Sequence, residues 1–289
     1  MTALFALATS LLWGLADFGG GLLTRRIPAL TVVAASQTVA VVVLGAVVVA
    51  TGGWSEAGPR LWFAVGAGLL GPVAMLAFYK ALAMGPMGVV SPLASLGVVV
   101  PVSAGLFAGE LPGFLQFAGV GVAVAGVVLA GGPELRGAPV QRQTVLLTLI
   151  AAFGFGGVMV LIAEASTTVT GLFLALFVQR VTNVAVGGAA LWVSVRRGGR
   201  ALPEDGGGPR VLWASLPALA FVGLADVAAN GTYAIAAQSG PVAVAAVLAS
   251  LYPVVTALAA RGVLKERLRA VQAAGAGLAL AGSVLLASG

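Results

Sequence analysis

Read for polarity alone, the chain is a succession of long apolar runs broken by charges, Gly/Pro clusters and short polar turns. A helix needs about 20 apolar residues to cross a bilayer core. Runs of that length fall at 2–23, 29–51, 60–83, 87–109, 112–131, 143–164, 169–195, 211–236, 241–262 and 268–288. The shortest interruptions are MGPMG (84–88), GELPG (109–113) and QSGP (238–241). The pattern predicts an all-α membrane protein with ten transmembrane helices. The first basic residues, Arg25 and Arg26, follow the first apolar run rather than precede it. That is the wrong polarity for a secretory signal peptide, so 2–23 is expected to be a retained span.

Composition agrees with this reading. Sixty per cent of the 289 residues are hydrophobic and 8% are charged, against roughly 25% charged in a soluble domain. Mean hydropathy is +1.09. Too few charges exist to build a water-facing surface, so lipid is the expected solvent over most of the protein. The absence of cysteine excludes disulfides and Cys-based metal or redox sites. The absence of histidine removes the commonest general base and metal ligand. The net charge of +6 is read as basic cytoplasmic loops, not as a nucleic-acid surface.

Those basic residues set an orientation. Loops after spans 1, 3, 5, 7 and 9, with their flanks, hold thirteen of the fifteen Lys and Arg residues; the opposite side holds Arg60 alone, and Arg180 lies within a span. The positive-inside rule makes the thirteen-residue side cytoplasmic and places both termini outside.

The chain also repeats itself. LQFAGVGVAVAGVVLA (115–130) and VQAAGAGLALAGSVLL (271–286) share nine of sixteen positions, including Gly119/Gly275, Gly121/Gly277 and Gly126/Gly282. LASL recurs at 93–96 and 248–251, and Gly-Pro at 85–86 and 240–241. Gln37 falls near the place of Gln179, and Leu61-Trp62 near that of Leu212-Trp213. Each Gly-rich copy is the fifth span of a five-span half. Five is odd, so the halves enter the membrane in opposite senses, an inverted-topology repeat of the kind secondary transporters use. The expected division is an N-terminal repeat at 1–131, a cytoplasmic linker at 132–142 and a C-terminal repeat at 143–289. The small-xxx-small pairs in spans 5 and 10 are assigned to close helix packing.

LASLYPVVTALAARGVLKERLRAVQAAGAGLALAGSVLLA (248–287) resembles the end of an EamA-type half in the drug/metabolite transporter superfamily. The likeness rests on Pro253 inside the ninth span, the turn Glu266-Arg267-Leu268 and a Gly-rich last helix. The first half carries a looser copy, LASLGVVVPV followed by Gly109-Glu110-Leu111, with its proline (Pro101) three positions later and no arginine. The resemblance implies a ten-helix carrier around a central cavity and names no substrate. Glu110 and Glu266, at membrane boundaries, are assigned to capping the helices that follow.

Ionisable groups at membrane depth cost at least about 2.5 kcal/mol each, so they mark function or a compensating pair. Arg180 lies sixteen residues before Arg196, and Asp226 sixteen after Arg210. Both are roughly 24 Å along their helices from the cytoplasmic side, at matching depth. Asp17 lies eight residues before Arg25, about 12 Å in. Asp226, Asn230 and Tyr233 share a stripe of span 8. Gln179 or Arg180 with Asn183 forms another, and Ser10, Trp13 and Asp17 a third. Gln37 with Thr38 breaks span 2, and Tyr79 with Lys80 ends span 3. If these faces converge they form a substrate cavity lined by Trp13, Asp17, Gln37, Tyr79, Gln179, Arg180, Asn183, Asp226, Asn230 and Tyr233. Two readings fit Arg180 and Asp226. One is a permanent salt bridge locking spans 7 and 8. In the other, Arg180 takes a substrate carboxylate or phosphate, and Asp226 or Asp17 takes an amine or a proton. Trp13 and Tyr233 fit packing as well as cavity lining. Prolines 72, 92, 101, 217 and 253 are expected to kink helices.

The expected function is secondary transport of a small polar or amphiphilic metabolite, an amino acid or related compound, by alternating access and in the export direction. The expected partners are a small-molecule substrate, the lipid bilayer and protons as a candidate coupling ion. The chain is expected in the plasma membrane, as a monomer or homodimer. No cofactor or metal is expected. GGGPR (206–210) lacks the Lys-Ser/Thr of a phosphate-binding loop. A flippase for a lipid-linked sugar shares the fold and stands as the alternative. A membrane-embedded lipid-modifying enzyme is a weaker one, because no acid pair lies at motif spacing inside a span and Glu204-Asp205 sit in a loop.

Overall fold

A computed structural model describes residues 2–100, 103–104, 113–131, 141–166, 168–202, 208–239, 248–249, 251–265 and 270–288. Pro101, Glu110, Glu204, Asp205, the turn at 266–268 and nearly all of the 132–142 linker lie outside the described residues. The helices are α1 (Thr2–Thr24), α2 (Ala29–Thr51), α3 (Leu61–Met84), α4 (Met87–Ala94), α5 (Phe114–Gly131), α6 (Arg142–Ala165), α7 (Val169–Arg196), α8 (Gly208–Gln238), α9 (Tyr252–Val263) and α10 (Ala270–Ser288). Among the described residues there is no strand. Six helices, α1–α3 and α6–α8, are long and apolar enough to cross a membrane, which makes this a multi-pass membrane protein. Their outer faces carry large apolar side chains that water would not tolerate: Trp62 is 76% exposed, Trp213 71% and Val49 68%.

Two predicted spans are not continuous helices. The fourth stops being α-helical at Ala94 and passes through a 3₁₀ turn, Ser95–Val98. Pro92, inside α4, donates no backbone hydrogen bond, and the Ser95 hydroxyl donates to the Pro92 carbonyl at 2.7 Å. In the ninth, α9 starts at Tyr252 with Pro253 in its first turn, where proline is favoured because its missing N–H would have no helical partner. Both breaks fall in or just after the LASL repeat.

The packing has an exchange pattern. The halves pack chiefly as α1 with α8, α3 with α6, α2 with α7 and α5 with α10; α3 also packs on α7, α2 on α8, and both α1 and α4 on α9. The first and third helices of one half therefore take the third and first of the other, while the second and fifth take their own counterparts. Close approaches at glycine give the register. Gly14 lies against the Tyr252 carbonyl and Val255, as Gly156 lies against the Gly97 carbonyl and Val100. Gly68 lies against the Gln179 carbonyl and Thr182, as Gly223 lies against the Ser36 carbonyl and Val39. Each contact is matched by its exchanged copy at constant shifts: 142 (14 to 156), 143 (36 to 179) and 155 (68 to 223, 97 to 252). The LASL pair keeps the shift of 155 (93 to 248). This register corrects two sequence alignments: the counterpart of Gln37 is Arg180, not Gln179, and that of Leu61-Trp62 is Leu216-Pro217, not Leu212-Trp213.

Counterparts α2 and α7 run antiparallel. Gly53, just past the end of α2, lies against the Thr170 carbonyl; along α2, Gly45 lies against Phe177 and Gln37 against Arg180. Ala40, Leu44, Leu176 and Val227 fill the space between α2, α7 and α8.

Candidate functional site

Gln37 and Arg180 meet where α2 crosses α7, at the centre of the exchange. The Arg180 Nη1 group donates to Gln37 Oε1 at 2.6 Å. Its Nη2 lies 2.7 Å from Asp226 Oδ2 on α8, an ion pair outside good hydrogen-bond alignment. Asn230, one turn along α8, donates from Nδ2 to the Asp226 carbonyl at 2.7 Å and reaches Oδ1 at 3.4 Å. The guanidinium is thus fixed by a neutral acceptor and a carboxylate, and the carboxylate by an amide on its own helix. Burial makes this necessary: Arg180 is 8% exposed and Gln37 1%.

Beside the pair is a cavity of about 210 Å³. Trp13 and Asp17 face it from α1, Gln37 from α2, Tyr79 from α3, Gln179, Arg180 and Asn183 from α7, and Asp226 and Asn230 from α8. These are nine of the ten side chains expected from the sequence. Tyr233 is the exception. It does not line the cavity and packs its ring against that of Trp13, with centroids 6.0 Å apart. The Tyr79 ring rests on the bare backbone of Gly20, one turn beyond Asp17, where a Cβ would fall 2.6 Å from the tyrosine hydroxyl.

Four polar atoms of this group are buried without a hydrogen-bond partner among the described residues: Arg180 Nε, Gln179 Oε1, Asn183 Oδ1 and Asp226 Oδ2, the last with its ion pair alone. Among the described residues the Asn183 amide nitrogen has one partner, the Met75 sulfur, at 3.9 Å. Buried polar atoms are nearly always satisfied, so those without a protein partner call for water, an ion or a bound solute. A structural lock would close on itself, whereas this cluster keeps unspent hydrogen-bonding capacity next to a cavity.

The symmetric frame carries asymmetric chemistry. By the shifts above, Asp17 corresponds to Met159, Arg180 to Gln37, Asp226 to Gly71 and Asn230 to Met75. All of these line the cavity. At each position one half supplies a charge or an amide, and three of the four counterparts are apolar or lack a side chain. Sequence reasoning missed Gly71, Met75, Phe78, Phe155, Met159 and Tyr252. Tyr252 had a signal, a polar aromatic directly after the LASL break. The others carry none in a chain that is 60% hydrophobic. Among the described residues no three His, Cys, Asp or Glu side chains cluster as a metal site would require.

The EamA-like transporter family matches residues 1–132 and again 142–288. A comparison with curated proteins finds no match. One solved structure, titled "Crystal structure of protein", aligns over 99% of this chain and 96% of its own length, with a TM-score of 0.60 and 20% identity. That likeness concerns the fold alone.

Proposed function

The chain belongs to the EamA-like transporter family, within the drug/metabolite transporter superfamily, and on that premise we propose that it is a secondary carrier working by alternating access around the Arg180–Asp226 cavity. Its solute is a small polar or amphiphilic metabolite, an amino acid or related compound, moved outward across the plasma membrane. The observation that carries this reading is a buried ion pair with unpartnered polar atoms on neighbouring residues that line a cavity. The cavity size also bears on it, since about 210 Å³ is below the ~300–1,000 Å³ usual for drug-sized ligands.

Ten spans, divided at 132–142 into halves of opposite sense with both termini outside, complete the proposal. The antiparallel crossing of counterparts α2 and α7 supports opposite senses, as does the exchange of contacts between halves. Breaks in corresponding fourth and ninth spans support a central site, because inverted-repeat carriers build theirs at interrupted helices. The cavity lies beside the second break: Tyr252, the first residue of α9, is part of its wall.

The test is flux of a metabolite panel in proteoliposomes, by uptake and counterflow, with and without a pH gradient. Saturable flux of a small amino-acid-like solute is expected, with counterflow driven by the same solute. Absence of saturable flux across the panel contradicts the carrier reading.

A further inference from the structure

The cavity wall holds one more acid than base. Arg180 and Asp226 cancel, which leaves the Asp17 carboxylate. Asp17 is half-buried on the cavity wall, and among the described residues it has neither a hydrogen-bond partner nor an ion pair. Three aromatic rings are grouped near it. Trp13 lies one turn away on the same helix face, Tyr252 packs edge-on to Trp13 at 6.2 Å between centroids, and Tyr79 sits over Gly20. The unpartnered polar atoms lean the same way. Gln179 Oε1 and Asn183 Oδ1 are acceptors on residues 3% and 1% exposed, against one donor, Arg180 Nε.

A pocket with one acid in excess of its base, unpartnered acceptors and aromatic faces is complementary to a cation that donates hydrogen bonds. It is a poor match to a second carboxylate. Any anion approaching Arg180 also approaches Asp226, and the attraction and repulsion are of similar size at similar distance. We propose that the recognised group of the solute is an organic ammonium held by Asp17 among Trp13, Tyr79 and Tyr252, and that the preferred solute is a small amine bearing no carboxylate. This rests on the carrier reading and narrows its solute class. It also revises the expectation that Arg180 takes a substrate anion: Arg180 instead neutralises Asp226 and orders the wall.

Three probes of one carbon skeleton decide the matter, with binding measured calorimetrically on the full chain in nanodiscs. They are isoamylamine, leucine and N-acetyl-leucine. The amine is expected to bind at least about tenfold more tightly than leucine, and the N-acetyl anion not to bind. Asp17→Asn is nearly isosteric and is expected to keep the wild-type melting temperature while losing about 10–100-fold in amine affinity, the range for a charge-assisted hydrogen bond. Leucine binding as tightly as the amine overturns the inference, as does amine affinity unchanged in Asp17→Asn; saturable flux of leucine then leaves the carrier reading standing. Should the variant prove unstable, the wild-type preference among the three probes decides alone. No binding of any probe, together with no saturable flux across the metabolite panel, overturns both.

Discussion

Arg180→Ala is expected to reduce solute flux by about 100-fold or more and to lower the free energy of unfolding by about 3–5 kcal/mol, the usual cost of leaving one partner of a buried ion pair without the other. The stability loss comes from Asp226, whose carboxylate would face Asn230 and a cavity with no cation beside it. The flux loss has a different origin. Without the guanidinium, Gln37 loses its donor and the α2–α7 crossing loses its only side-chain hydrogen bond among the described residues. The wall opposite Asp17 is then no longer fixed. A double-mutant cycle separates the two effects. Arg180→Ala with Asp226→Asn is expected to recover most of the stability, because no buried charge remains, and to recover little flux. Thermal or denaturant unfolding in detergent and proteoliposome flux provide the two readouts. Normal flux in the single variant would remove Arg180 from the site. Flux restored along with stability in the double variant would reduce the pair to a structural lock.

Gly68→Ala and Gly223→Ala are expected to destabilise by similar amounts, about 1–3 kcal/mol each, as overpacked contacts do. A Cβ at Gly68 would lie 2.5 Å from Thr182 Cβ and 2.6 Å from the Gln179 carbonyl. At Gly223 the obstruction is the Ser36 carbonyl, with Val39 behind it. Backbone cannot move aside as a side-chain end can, so helices must separate. The two sites are exchanged copies of one contact, one on each side of the α2–α7 crossing, which is why their costs should match. Gly188→Ala is the control. A Cβ there meets no described atom within 4 Å, so the gain in helix propensity, up to about 1 kcal/mol, should dominate. Unequal losses at Gly68 and Gly223, or a loss at Gly188 as large as theirs, would contradict the exchange register.

Much of this architecture was legible because membrane helices advertise themselves by length and apolarity. Ala29–Thr51 coincides with its predicted run, and α1, α3, α6 and α7 agree with theirs to within a residue or so at each end. The fourth and ninth spans were read as continuous because hydropathy records burial, not backbone continuity; Pro92 and Pro253 hinted at breaks without fixing them. The polar part of the cavity was legible for a related reason. In a chain with so few charges, Asp17, Arg180 and Asp226 stand out, and equal distances from Arg196 and Arg210 put two of them at one depth. The apolar wall had no such contrast. The pairing of Gln37 with Arg180 was hidden by a one-residue difference in shift, and only the glycine contacts of the folded chain set it.

The chain contains no cysteine, so a single introduced thiol reports on one place alone. Val158 lines the cavity from α6, and Val158→Cys changes its volume little. The most direct test of a carrier built around this cavity is the labelling of that thiol by a membrane-impermeant reagent, applied in turn from each side, with and without the transported solute. Labelling from both sides, slowed by the solute in each case, is the predicted result. A thiol that reacts from one side only, at a rate the solute leaves unchanged, would contradict it.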